Sequence, residues 1–184
     1  MRPGPASEHL VAAALDRVGS RSARVVDVGT GSGAIAVALA AAAPNVHVFA
    51  TDTSRCAVAL ARRNVLKHRL GDRVTVCHGD LLDPVPDPID LVVANLPYLP
   101  AADIWRHPEL VDEPDEAVFA SGDGLEPYRR LLVACADRLD DDAAVMIQLH
   151  RRVLEATASE LPALRARIER FGRSYEYAPS LAAA

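Results

Sequence analysis

Apolar positions along this chain switch repeatedly between two rhythms, one of helical spacing and one of short unbroken runs. Leu10, Val11, Ala14, Leu15 and Val18 recur at helical spacing behind Ser7, a residue type that caps helices, so the pattern predicts a first helix ending near Gly19. Ala23 to Val28 is an apolar run of strand length, and it leads directly into Gly29-Thr-Gly-Ser-Gly33 and an alanine-rich helical stretch to about Ala43. The alternation then repeats. Val46 to Ala50 reads as strand, Ser54 to His68 as helix, Arg73 to Cys77 as strand and Ile89 to Ala94 as a fourth strand. A long polar stretch follows from Asn95 to about Leu125, then a helix around Pro127 to Leu139 and a strand at Ala143 to Leu149. Val153 to Phe171 keeps a helical pattern despite Pro162.

Strands alternating with helices pair in parallel through right-handed crossovers. The expected fold is therefore a Rossmann-like, doubly wound α/β domain, with a mainly parallel sheet and helices on both faces. The tail shows no pattern for a closing β-hairpin, so a sheet of fewer than seven strands is expected. With 184 residues the chain has material for one core. We read a single domain with an N-terminal helix over 1–20, a core over 23–149 and a helical tail over 150–184. In such folds ligands bind at the carboxyl ends of the strands, where the motifs of this chain fall.

Composition narrows the field. A net charge of -5 and a pI near 5.6 give no overall positive field to attract a phosphate backbone, which makes nucleic acid the less favoured partner. Cys56, Cys77 and Cys135 are widely spaced and form no C-x-x-C pair, which suits a reducing cytoplasm better than a disulfide framework or a zinc site. The first residues lack a signal-peptide pattern, and no apolar run approaches the roughly 18 residues of a membrane span. The histidines at 9, 47, 68, 78, 107 and 150 show no paired ligand spacing, so no metal is expected.

The chemistry begins at Val25-Val-Asp27-Val-Gly29-Thr30-Gly31-Ser-Gly33-Ala34. Three glycines let the backbone turn sharply and come close to a ligand. Gly29, Gly31 and Ala34 also satisfy G-x-G-x-x-A, with Asp52 lying 23 residues after Gly29, so a nicotinamide cofactor competes with S-adenosylmethionine (SAM) at this point. Asp27, inside the strand just before the turn, favours a cationic ligand such as the SAM ammonium group over a pyrophosphate. Asp52 ends the second strand, where a carboxylate can accept ribose hydroxyls. Asp80, in His78-Gly-Asp80-Leu81, ends the third, where it can meet an adenine amino group.

Asp90-Leu-Val-Val-Ala-Asn95-Leu96-Pro97-Tyr98 closes the fourth strand. The Asn95 side-chain oxygen and the Leu96 main-chain carbonyl can each take one hydrogen of a planar NH2 group, and Tyr98 offers a flat face for stacking. This is a positioning device for methyl transfer to nitrogen, and a dehydrogenase has no use for it.

On these residues the chain resembles the HemK/PrmC family, SAM-dependent N5-glutamine methyltransferases that modify peptide-chain release factors. The family pattern Asp-x-Gly-Thr-Gly-Ser-Gly is matched from Asp27 to Gly33, and Asn-Pro-Pro-Tyr is matched at Asn95 to Tyr98 except at Leu96. Arg2-Pro3 with Ser7-Glu8 and Leu10-Val11, Glu113-Pro114, Ala117, Gly122-Asp-Gly-Leu125 and Tyr128-Arg-Arg-Leu131 extend the likeness over roughly residues 2 to 147. The resemblance implies that Asp27, Gly29, Thr30, Gly31, Gly33, Asp52, Thr53, Asp80, Leu81 and Asn95 form the SAM site. It implies that Asn95, Leu96, Pro97 and Tyr98 hold the acceptor, and that the partner is a release-factor-like protein.

The chain departs from that family at named places. Leu96 replaces the first proline, Gln148-Leu149-His150 stands where Glu-Ile-Gly is usual, and the match starts at the family's catalytic domain. Asn-Leu-Pro-Tyr also resembles the motif of ribosomal RNA adenine dimethyltransferases, so an RNA or DNA adenine acceptor is the alternative, with a non-catalytic SAM-binding or scaffold role as a third reading. The acidic run Glu109 to Glu116 and Trp105 lie in the loop after this motif, where a lid or docking surface is expected beside the simpler reading of solvated charge.

Overall fold

A computed structural model of the chain describes residues 5–97, 99–100, 119–120, 125–140, 142–148 and 175–177. The elements in chain order are α1 (Pro5–Val18), β1 (Ala23–Val28), α2 (Ala34–Ala42), β2 (Val46–Asp52), α3 (Arg55–Lys67), β3 (Val74–His78) and β4 (Leu91–Ala94). They continue with β5 (Leu99–Pro100), β6 (Phe119–Ala120), α4 (Glu126–Arg138), β7 (Ala144–Ile147) and β8 (Tyr175–Tyr177). The main sheet has six strands among the described residues, in the order β3-β2-β1-β4-β7-β8, and every pair in it is parallel.

Apolar runs become the central strands because both faces of the sheet are covered. All four residues of β4 are buried, which alternating polar residues would not permit. Val25, Leu91, Val93, Ala144 and Met146 pack with Leu10, Ala14 and Leu39 on the side of α1 and α2. Their sequence neighbours Val26, Val28, Val92, Ala94 and Val145 turn to the other side and pack with Tyr128, Leu131 and Cys135 of α4. The chain is thus doubly wound, as its periodicity implies.

Topology then locates a crevice. From β1 the chain winds outward through β2 to β3, returns to β4 on the other flank of β1, and continues to β7. The winding direction reverses between β1 and β4, and a ligand crevice opens at the carboxyl ends of the strands flanking such a switch. The glycine turn follows β1 and Asn95 follows β4, so both stand there.

Local boundaries differ from the sequence reading in instructive ways. α1 starts at Pro5, so Ser7 lies in its first turn instead of capping it; proline suits the first helical position because the N–H it lacks has no intrahelical partner there. Gly19, at φ 56, ends the helix as expected and donates its N–H to Leu15 O at 2.9 Å. The parallel pair β5–β6 lies inside the stretch read as polar loop, and β8 lies inside the tail read as helical. Strands of two or three residues are too short to leave a period in the sequence. The segment Val153 to Phe171, Trp105, the acidic run from Glu109 to Glu116 and Tyr98 lie outside the described residues. Among the described residues no helix is long and apolar enough to cross a membrane.

Candidate active site

Asp27 sits one residue from the end of β1 and is fully buried. Its Oδ2 accepts hydrogen bonds from Thr30 Oγ1 at 2.6 Å and from the Ala36 N–H, in the first turn of α2, at 3.1 Å. Its Oδ1 is buried and has no partner. Burial disfavours the charged form and raises the carboxyl to about 7; the two hydrogen bonds pull the other way and the nearby Asp52 adds to the rise. A cationic ligand group at Oδ1 would supply both the missing partner and the missing countercharge.

The glycine turn is held open beside it. Gly31 has φ 55, and a Cβ built there meets nothing within 4 Å, so its backbone faces free space on the ligand side. Gly33, at φ 79, is confined for the opposite reason: its Cβ would lie 3.2 Å from the Ala61 Cα, and that closeness lets α2 and α3 approach. Gly29 faces Leu96, whose Cδ2 would be 2.5 Å from an added Cβ. The turn is pinned by Thr30 N–H to Thr51 O at 3.0 Å and by Asn64 Nδ2 to Ser32 O at 2.8 Å.

Asp52 ends β2 and braces this turn. Its Oδ2 accepts from the Gly31 N–H at 2.9 Å and its Oδ1 from the Ser54 N–H at 2.8 Å. A carboxylate has about four acceptor directions, so positions for two ribose hydroxyls remain. Thr53 is exposed, and its carbonyl accepts from His78 Nε2 at 3.0 Å. His78 is thereby engaged at the strand ends.

Asp80 follows β3 and pairs with Arg130 of α4; both side chains keep substantial solvent exposure. Leu81 has φ 45, a left-handed conformation that costs a branched side chain energy, and its carbonyl is held by Thr51 Oγ1 at 2.9 Å. This fixed kink sets the backbone of Asp80-Leu81 at the rim of the crevice.

Asn95 is half-buried just beyond β4, and its Nδ2 donates to Ser7 Oγ of α1 at 3.3 Å. That leaves Oδ1 as the end able to accept from a ligand. Leu96 is buried, with its side chain in the core beneath α4. Its carbonyl lies 2.7 Å from the Tyr128 hydroxyl, which is also 3.0 Å from the Gln148 carbonyl. One lone pair of the Leu96 oxygen is therefore engaged from within the protein. Pro97 is half-buried and Tyr98 lies outside the described residues. Among the described residues no group of three or more His, Cys, Asp or Glu side chains is gathered as a metal site.

The structure thus brings Asp27, the glycine turn and Asp52 into one hydrogen-bonded unit, with Asn95 on the neighbouring strand end and Asp80-Leu81 farther out beyond β2. Sequence reasoning missed Ser7 as a partner of Asn95, Tyr128 as the anchor of Leu96, and Asn64 as a brace of the turn. A tyrosine on the apolar stripe of α4 is the one visible signal among these, since a buried phenol needs a partner.

Fold and strand-end side chains together are those of the α/β methyltransferase class. The chain belongs to the family described as methyltransferase small domain, whose model matches residues 4–111. It is 38% identical over 161 residues to the release factor glutamine methyltransferase of Deinococcus radiodurans, covering 86% of this chain and 57% of that protein. It is 37% identical over 145 residues to the ribosomal protein uL3 glutamine methyltransferase of Bradyrhizobium diazoefficiens, covering 77% of this chain and 46% of that one. The chain spans about half the length of these curated relatives. Among solved structures, the hMettl16 catalytic domain in complex with a MAT2A 3'UTR hairpin superposes with a TM-score of 0.62 at 20% identity, over 76% of this chain and 55% of that one, a likeness of fold.

Proposed function

We propose that this chain is a SAM-dependent N-methyltransferase whose acceptor is the carboxamide nitrogen of a protein glutamine. The observation that carries the reading is the buried, unpartnered Oδ1 of Asp27 at the switch point of the sheet, next to a strand that ends in Asn95. An acidic acceptor there suits an ammonium group and repels the pyrophosphate of a nicotinamide cofactor. The relatives named for release factor and for ribosomal protein uL3 both act on glutamine, which supports a protein acceptor of that chemistry.

In this reading Asp27 and the backbone of Thr30 and Gly31 hold the amino-acid end of SAM. Asp52 and Thr53 meet the ribose, and Asp80 and Leu81 flank the adenine. Bound SAM supplies an electrophilic sulfonium methyl group. The protein contributes position: Asn95 Oδ1 and the remaining lone pair of Leu96 O each accept one hydrogen of the acceptor NH2, and Tyr98 stacks on its plane. Pro97 stiffens the segment between them. Residues 1–184 act as one domain, with a release factor or a ribosomal protein as partner.

The test is calorimetric titration with SAM and separately with NAD, followed by transfer of a labelled methyl group to a bacterial release factor and to ribosomal protein uL3. SAM binding with labelled glutamine in either protein is the expected result. NAD binding without SAM binding, or label appearing in RNA and in neither protein, overturns it.

A further inference from the structure

The net charge of -5 conceals a sharp segregation. Between residues 55 and 73 stand six cations, Arg55, Arg62, Arg63, Lys67, Arg69 and Arg73, against a single acid, Asp72. Four of the six belong to α3. The inner face of that helix, formed by Val58, Ala61 and Val65, is buried, so Arg55, Arg62, Arg63 and Lys67 share its outer face and are exposed there. They make a stripe about 18 Å long. Arg69 lies just beyond the helix and is exposed as well.

Two of the six cations are engaged from within the protein. Arg62 Nη2 donates to Val76 O of β3 at 3.0 Å, and the half-buried Arg73 donates to Ala40 O and Ala43 O. Arg55, Arg63, Lys67 and Arg69 have no ion pair and no side-chain hydrogen bond among the described residues. This arrangement destabilises the helix. Arg63 and Lys67 are like charges at i,i+4, and Arg55 stands in the first turn, where the helix dipole favours an acid and α3 has none. α1 and α4 distribute charge as the dipole favours, with Glu8 and Glu126 in their first turns and Arg17 and Arg138 in their last. A helix face that meets only water mixes signs, whereas a face of one sign repels itself until an anion lies on it.

We propose that the outer face of α3 binds the phosphate backbone of a structured RNA. Phosphates repeat along a line as these cations do, and each cation that meets one releases condensed counterions, so the contributions accumulate. An acidic protein gains less from the same face, because exposed ion pairs contribute little and Leu66 is the one large apolar side chain exposed on the helix. α3 has no aromatic ring on which a base could stack, so its contacts are to the backbone and carry no sequence preference. The stripe runs along the flank of the domain, where Arg62 reaches β3, the outermost strand of the sheet on the side away from β4. It is separate from the crevice, and the inference stands whichever acceptor receives a methyl group.

The experiment is fluorescence anisotropy of a labelled RNA hairpin titrated with the full chain at about 50 and about 200 mM KCl. Binding should weaken roughly a hundredfold over that rise in salt, the dependence expected of about four phosphate contacts. Arg63→Glu should weaken binding at the lower salt by about tenfold or more, yet keep or raise the unfolding midpoint, because it turns a like-charge pair with Lys67 into an opposite one. Arg63→Lys should bind nearly as the wild type does, and calorimetric SAM affinity should be the same in all three chains. No RNA binding at the lower salt overturns the proposal, as does wild-type RNA affinity in Arg63→Glu. Displacement of the RNA by poly-L-glutamate at equal charge concentration overturns it in favour of an acidic protein partner. Loss of RNA binding in Arg63→Glu supports this surface even in a chain that binds no SAM, so the two readings fail separately.

Discussion

Thr30 Oγ1 donates a 2.6 Å hydrogen bond to Asp27 Oδ2, joining two buried side chains across the glycine turn. The bond satisfies one oxygen of a carboxyl whose other oxygen is buried with no partner.

Burial pushes the Asp27 carboxyl up from its ordinary 3.8 to about 7 in the folded chain, so the folded state holds its proton more tightly than the unfolded state does. Between those values the unfolded chain has released the proton while the folded chain keeps it. The contribution of this group to stability therefore falls as pH rises from about 4 to about 7. Urea unfolding across that range should show the slope in the wild type and lose it in Asp27→Asn. A cationic ammonium on Oδ1 pulls the carboxyl toward its charged form, so SAM should bind with proton release and more weakly below about pH 7. Calorimetry in buffers of different ionisation enthalpy checks this, and a heat independent of buffer would remove Asp27 from the cofactor site.

Gly31 and Gly33 share a left-handed backbone and differ in surroundings, which separates ligand effects from folding effects. Gly31→Ala should cost about 1 kcal/mol of stability from φ alone while weakening SAM binding strongly, because the new methyl group points into open space that the ligand needs. Gly33→Ala should cost more, about 2 to 4 kcal/mol, since the same φ penalty is joined by collision with the Ala61 backbone. Unfolding and SAM titration of the two variants side by side read out the contrast. A Gly31→Ala chain that binds SAM normally would place the ligand elsewhere.

Much of this architecture was written in the chain's periodicity, for physical reasons. Val25-Val26 of β1 and Leu91 to Ala94 are apolar without alternation because both faces of those strands are covered, and that signal does not depend on any distant residue. The glycine turn, Asp27 and Asp52 were legible because backbone geometry and strand ends leave local marks. The partners of Asn95 were not. Ser7 lies 88 residues away, and its bond exists only because α1 packs across the end of β4. The burial of the Leu96 side chain in the core beneath α4 is likewise set by packing against a helix distant in sequence, and leaves no local mark.

The bond from Asn95 Nδ2 to Ser7 Oγ fixes which end of the carboxamide faces the crevice. Ser7→Ala removes it and lets the amide rotate, so the NH2 end spends time where an acceptor oxygen is required. We expect kcat to fall about three- to tenfold, equivalent to roughly 1 kcal/mol, with SAM affinity unchanged. Single-turnover methyl transfer measures this directly. An unaltered rate would mean that other groups orient Asn95.

Tyr128 ties the ends of β4 and β7 together, its hydroxyl lying 2.7 Å from Leu96 O and 3.0 Å from Gln148 O. One phenolic proton serves two carbonyls, and the Leu96 bond is buried. Tyr128→Phe keeps the ring in the core and deletes only the donor, leaving a buried carbonyl unsatisfied at a cost of about 1 to 3 kcal/mol. The strand ends carrying Asn95 and Gln148 then lose their common anchor, so the methyl-transfer rate should fall further than stability alone explains, while SAM, proposed to sit against β1 to β3 and their turns, should bind as before. Urea unfolding gives the first quantity, and single-turnover transfer under conditions where the variant is fully folded gives the second. Loss of stability with an unchanged rate would confine Tyr128 to the core, and loss of SAM affinity would show that the two halves of the crevice are not separable.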